Sequence, residues 1–85
     1  MAGDNVSEAI PTQVQADFLS DGSVRPRQFT YGDRTLDVIF TGRQWIENRA
    51  RHVLVMTSAH DTFELIVVMP EMRWSVVRIN KPTFV

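Results

Sequence analysis

Five strand-like runs follow one another between Val24 and Ile79, the first two clearly alternating apolar and polar residues, and the joints between the runs are short and turn-like. Such alternation over four to eight residues marks a half-buried β-strand. The runs cover residues 24–31, 34–41, 51–57, 62–69 and 73–79. Gly32-Asp33 separates the first two, and glycine at the first central position suits a two-residue type II′ turn. That turn sets a register in which Tyr31 pairs with Arg34, Thr30 with Thr35, Phe29 with Leu36 and Gln28 with Asp37. One face then gathers Phe29, Tyr31, Leu36, Val38 and Phe40. The other gathers Gln28, Thr30, Thr35, Asp37 and Thr41, with Ile39 the misfit. Pro26 lacks an N–H, so the first strand is expected to start there or to lie at an edge.

Residues 42–50 read as a connection, or as a strand continuation ending at Trp45-Ile46. Residues 58–61 read as a turn, and Pro70-Glu71 as a two-residue turn. Pairing across Pro70-Glu71 sets Val67 against Trp74, Leu65 against Val76 and Phe63 against Arg78, which is a core face. The opposite face carries Ile66, Val68, Val77 and Ile79 and is apolar as well. A strand apolar on both faces needs cover on both sides. The third run sets Val53 and Val55 against His52, Leu54 and Met56. A one-residue change in the turn around His60 exchanges the two sets, and both arrangements stay open.

Residues 1–9 read as a mobile terminus. Val6, Ile10, Val14 and Phe18 follow at spacings of four, Pro11 suits a first helical turn, and Ser20-Asp21-Gly22 would end a helix. The expected architecture is mainly β. About five antiparallel strands form a strongly bent sheet or a small, partly open barrel (residues 23–85). A short N-terminal helix or flexible acidic arm (residues 1–22) precedes it. Either the segment from Ile10 to Phe18 lies across the second apolar face, or another protomer does.

Eighty-five residues make one domain with a thin core. The absence of cysteine excludes a disulfide framework and a thiolate metal site, and it fits a cytoplasmic location. No apolar run nears the roughly 18 residues of a membrane span, and the first ten residues lack the basic flank and apolar stretch of a signal peptide. The formal charge of −1 hides an asymmetry. Residues 1–22 hold Asp4, Glu8, Asp17 and Asp21 and no basic residue, whereas the remainder holds nine basic residues against six acidic ones.

Candidate chemistry is sparse. Ser58, His60 and Asp61 share one tight turn, where no carboxylate can sit behind an imidazole with a hydroxyl in front of it. His52, His60, Asp61 and Glu64 would make an unusually carboxylate-rich zinc site. No glycine-rich phosphate loop and no pair of carboxylates suited to acid–base work stands out. The chain therefore reads as a non-enzymatic module with no cofactor, no membrane partner and no small-molecule substrate marked in its sequence. The expected activity is binding of a protein, or of a second copy of itself, through an apolar sheet face or edge, with Ile66, Val68, Val77 and Ile79 as the interface. The alternative is single-stranded nucleic-acid binding through Arg43, Trp45, Arg49 and Arg51, where bases stack on the indole and phosphates meet guanidinium groups. A net charge near zero is poor for that alternative.

Arg25-Pro26, Phe29, Tyr31, Arg34, Val38, Trp45, Phe63-Glu64-Leu65, Trp74, Val76 and Arg78 together resemble a family of short uncharacterised bacterial proteins. Its pattern is an Arg-Pro opening with an aromatic–x–aromatic strand, a Trp, a Tyr/Phe-Glu-Leu strand, and a closing Trp with Val or Leu and Arg. The resemblance covers about residues 24–79 and implies a small β-barrel. Residues 66–69 are more apolar than that pattern, and the loop after Trp45 is short. The resemblance implies no activity.

Overall fold

A computed structural model describes residues 9–79. The mobile terminus expected over residues 1–9 falls outside them except for Ala9, as does Val6. Seven antiparallel strands follow in chain order: β1 (Ile10–Pro11), β2 (Val14–Phe18), β3 (Val24–Tyr31), β4 (Arg34–Glu47), β5 (Ala50–Thr57), β6 (Thr62–Val68) and β7 (Arg73–Ile79). No helix occurs among the described residues. The strands form one curled, half-barrel sheet in the order β1-β7-β6-β5-β4-β3-β2.

The expected N-terminal helix is replaced by β1 and β2. A spacing of four satisfies a period of two as well as it satisfies 3.6, so Ile10, Val14 and Phe18 fit one strand face equally well. The tertiary setting decides between them, because the segment completes both margins of the meander. Ile10 pairs with Val76 and Pro11 with Ser75 on β7, and Val14 pairs with Phe29 on β3. Between them Thr12 N–H donates to Trp74 O at 3.2 Å and Thr30 N–H to Gln13 O at 3.1 Å. Pro11 sits on the outermost strand, where its missing N–H costs no ladder bond. The segment thus lies in the sheet and not across its second face.

The Gly32-Asp33 hairpin has the expected register from Tyr31–Arg34 to Gln28–Asp37. Gly32 takes φ +65°, which the first central position of this turn requires. The β6–β7 pairing also matches, with Val67 opposite Trp74, Leu65 opposite Val76 and Phe63 opposite Arg78. The joint itself differs. It is a four-residue loop, 69–72, in which Met72 N–H donates to Val68 O at 2.7 Å. In β5 the choice falls on Val53 and Val55, both fully buried, as the inner set. Phe29, Phe63, Leu65, Val24 and Val76 complete the core, against which Ile10, Val14, Ala16 and Trp74 pack. The Phe63 ring meets Phe29 and Tyr31 edge-on, at centroid distances of 5.1 and 5.0 Å.

β4 is the largest departure in the body of the sheet. Residues 42–47 continue the strand, which turns back at Asn48-Arg49, both in the left-handed region at φ 55° and 65°. Two bulges interrupt its register with β5, one between Val38 and Phe40 and one between Thr41 and Gln44. Each bulge inserts one residue and reverses the alternation beyond it. Phe40, expected in the core, therefore pairs with Met56 on the outer face and is 53% exposed. Ile39 is the extra residue of the first bulge, which explains its misfit.

The first half of β4 pairs with β3 and its second half only with β5. Pro26 pairs with Ala16 of β2 and has no β4 residue opposite, so β3 is edge-like there. The Gln44 side chain spans the split: Val24 N–H donates to its Oε1 at 3.1 Å, and its Nε2 donates to Val24 O at 2.7 Å. Replacing the amide strands two backbone groups, each costing about 1–3 kcal/mol when left unmade. Gln44→Ala is expected to lose about 2 kcal/mol in urea unfolding, and Gln44→Glu, which keeps only the acceptor, to fall between it and the native chain.

Candidate functional site

The outer face of β4–β7 is built in rows by the ladder. Trp45, His52, Ile66 and Ser75 form one row, and Phe40, Met56, Thr62 and Ile79 another. Leu54, Glu64 and Val77 lie between them, and Ala50, Val68 and Arg73 lie beyond Ile66. The four predicted interface residues, Ile66, Val68, Val77 and Ile79, share this face and are all half-buried. Phe40, Met56 and Leu54 extend it, and Leu54 is only 5% exposed.

The polar centre of this face is one pair. His52 Nδ1 lies 2.6 Å from Glu64 Oε2, with side-chain exposures of 15% and 20%. The two side chains share one hydrogen bond within the apolar face. The imidazole also stacks on the Trp45 indole, with centroids 5.2 Å apart and planes 6° from parallel. The Arg43 guanidinium lies 5.3 Å from the same indole centroid. Trp45 Nε1–H donates to Glu47 Oε1 at 3.4 Å. Trp45 is therefore engaged by its own chain from two directions, and its polar edge is used.

The four residues of the nucleic-acid alternative do not share one surface. Arg43 and Trp45 belong to the outer face, and Arg49 lies in the β4–β5 turn. Arg51, opposite Ile46 and Val67, points to the inner face. The parity of Arg51 depends on the Asn48-Arg49 turn, which the reading of residues 42–50 as a connection leaves undefined. The isolated Gly42 inside a strand pattern is the local sign of the second bulge.

No family model, curated protein or solved structure matches the chain. Ser58, His60 and Asp61 do occupy one turn, but Asp61 Oδ1 pairs with Arg78 Nη2 at 3.1 Å, and His60 is exposed. Among the described residues no three His, Asp or Glu side chains gather as a metal site would need. No helix among them is long and apolar enough to cross a membrane.

A second surface was not legible in the chain. The β2–β3, β4–β5 and β6–β7 turns all lie at one end of the curled sheet, as the antiparallel order dictates. Of the seven exposed large apolar side chains among the described residues, five sit at this end: Phe18, Leu19, Ile46, Met69 and Met72. Phe18 contacts Trp74, with ring centroids 6.3 Å apart. Asp21 in the same end turn accepts from the Ser23 hydroxyl at 2.6 Å and the Ser23 N–H at 2.9 Å. These two bonds hold its carboxyl below the usual range. The opposite end carries Gly32-Asp33 and the 58–61 turn and is polar.

Proposed function

We propose that this protein is a non-enzymatic interaction module that binds a protein partner, or a second copy of itself, through the outer face of β4–β7. The observation that carries this reading is the continuity of that face. Phe40, Trp45, Met56, Ile66, Val68, Val77 and Ile79 cover successive rows, broken at the centre by the His52–Glu64 pair. An apolar patch of this kind on a soluble domain marks an interaction site. The central pair would fix orientation, as polar groups within apolar interfaces do.

The face is favoured over an edge. Among the described residues the edge strands are β1 and β2, two and five residues long, and they are consecutive in the chain. Strand addition needs a longer free ladder than either offers. Light scattering of the full chain from micromolar to millimolar concentration, with binding of an apolar dye as second readout, tests the reading. Mass above 9.8 kDa or dye fluorescence is expected, and either signal is expected to vanish in Ile66→Lys/Val77→Lys with the β-sheet dichroism retained. A strict monomer that binds no dye would sink it.

A further inference from the structure

The centre of the outer face sets an acid and a base among apolar neighbours. His52 stands between Trp45 on β4 and Ile66 on β6, and Glu64 between Leu54 on β5 and Val77 on β7. Their side chains are 15% and 20% exposed, and the 2.6 Å contact of Nδ1 with Oε2 is the one side-chain hydrogen bond of either among the described residues. The Trp45 ring, stacked on the imidazole, closes one side of it. The other charged groups of this face are Arg43 and Glu47 on β4 and Arg73 on β7. Arg43 lies beside the Trp45 ring, Glu47 accepts from the indole N–H, and Arg73 is exposed opposite Val68. None of the three forms an ion pair with His52 or Glu64.

The protons of this pair count together, whichever atom carries them. A neutral imidazole beside a carboxylate leaves one negative charge. One further proton, on either group, brings the pair to zero. While the face meets water, both states are solvated at the pair's open side. A partner that covers the face removes that water, and a charge left unpaired in an apolar interface is strongly unfavourable. The neutral pair keeps its hydrogen bond and is buried at far less cost.

We propose that the His52–Glu64 pair is a proton gate on the outer-face interface. The face associates when the pair holds its extra proton and releases its partner when that proton passes to solvent. The gate rests on the reading of the outer face as the interface. An imidazole is the side chain whose charge ordinarily changes between about pH 5 and 8. Guanidiniums and solvent-exposed carboxylates ordinarily keep their charges over that range. The pair is therefore the group that changes the charge of the face.

Association of the full chain, read by light scattering and by binding of an uncharged apolar dye, tests the gate. It is expected to weaken at least about tenfold from about pH 6 to about pH 8.5, because one linked proton per chain allows up to about tenfold per pH unit. Glu64→Gln is expected to reverse the slope, since proton uptake then leaves an imidazolium without a counter-charge. His52→Gln leaves the carboxylate alone and is expected to associate, at either pH, no more strongly than the native chain at the higher one. His60, exposed in the 58–61 turn, provides the control, and His60→Gln is expected to keep the native slope. Retained β-sheet dichroism shows that each variant is folded. Equal association of the native chain at both pH values, or a Glu64→Gln slope of the native sign, overturns the gate and leaves the interface standing. No association and no dye binding at either pH overturns both.

Discussion

A chain beginning at Ser23 is expected to be unfolded in dilute buffer at 25 °C, with a far-ultraviolet spectrum lacking the β-sheet band and no cooperative urea transition. Residues 10–18 supply β1 and β2, so their removal strips a partner strand from both β3 and β7. The freed N–H and C=O groups regain water, so each lost backbone bond costs a net ~1 kcal/mol. Ile10, Val14 and Ala16 also leave the core cluster, uncovering Phe29 and Val76. Restoring contact between water and even a few partly buried apolar side chains costs several kcal/mol. A domain's whole margin is roughly 5–15 kcal/mol, and short chains sit at the low end. A truncated chain that unfolds cooperatively at the native urea midpoint would show that the segment contributes nothing to the sheet.

Phe63→Ala is expected to be the most damaging single substitution, at about 4 kcal/mol from urea unfolding. Phenylalanine-to-alanine changes in packed cores cost roughly 3–5 kcal/mol through lost transfer energy and the cavity left behind. Phe63 is 1% exposed and holds both edge-on ring contacts, to Phe29 and Tyr31. Such pairs add about 0.5–1.5 kcal/mol each beyond area. The Arg78 guanidinium lies 6.0 Å from the Phe63 centroid and loses its aromatic surface as well. Ile39→Ala provides the contrast. That side chain is 54% exposed at a bulge, and its removal is expected to change stability by no more than about 0.5 kcal/mol. Similar losses for the two variants would contradict the placement of the core.

Where turn chemistry and alternation agree, the chain is legible. Gly32-Asp33 determines its hairpin because the turn type and the Phe29/Leu36 pattern demand one register. The β6–β7 register survived a misread joint, since a two-residue turn and a four-residue loop both leave Val68 opposite Arg73. Legibility failed where one spacing serves two structures, as for Ile10, Val14 and Phe18, and where a bulge resets phase, as for Phe40. The first bulge, at Ile39, carries no glycine to mark it, because the curvature it serves belongs to the whole sheet. The candidate surfaces divide the same way. Ile66, Val68, Val77 and Ile79 sit on uninterrupted strands and share the face their alternation implies. Arg51 lies beyond two bulges and an Asn48-Arg49 turn, so its inward direction could not be read from spacing.

The placement of β1 has a consequence for the order of synthesis. A ribosome makes Ile10 early, yet its ladder partner is Val76. β1, the first of the described strands to emerge, is therefore among the last that can be seated. Until β7 exists, the nascent chain carries an apolar segment with only half of its final neighbours, and hairpins from β3 onward form without it. Long-range pairings of this kind slow folding, because the intervening chain must be closed before they reward it. Birth order and assembly order run in opposite directions in this sheet.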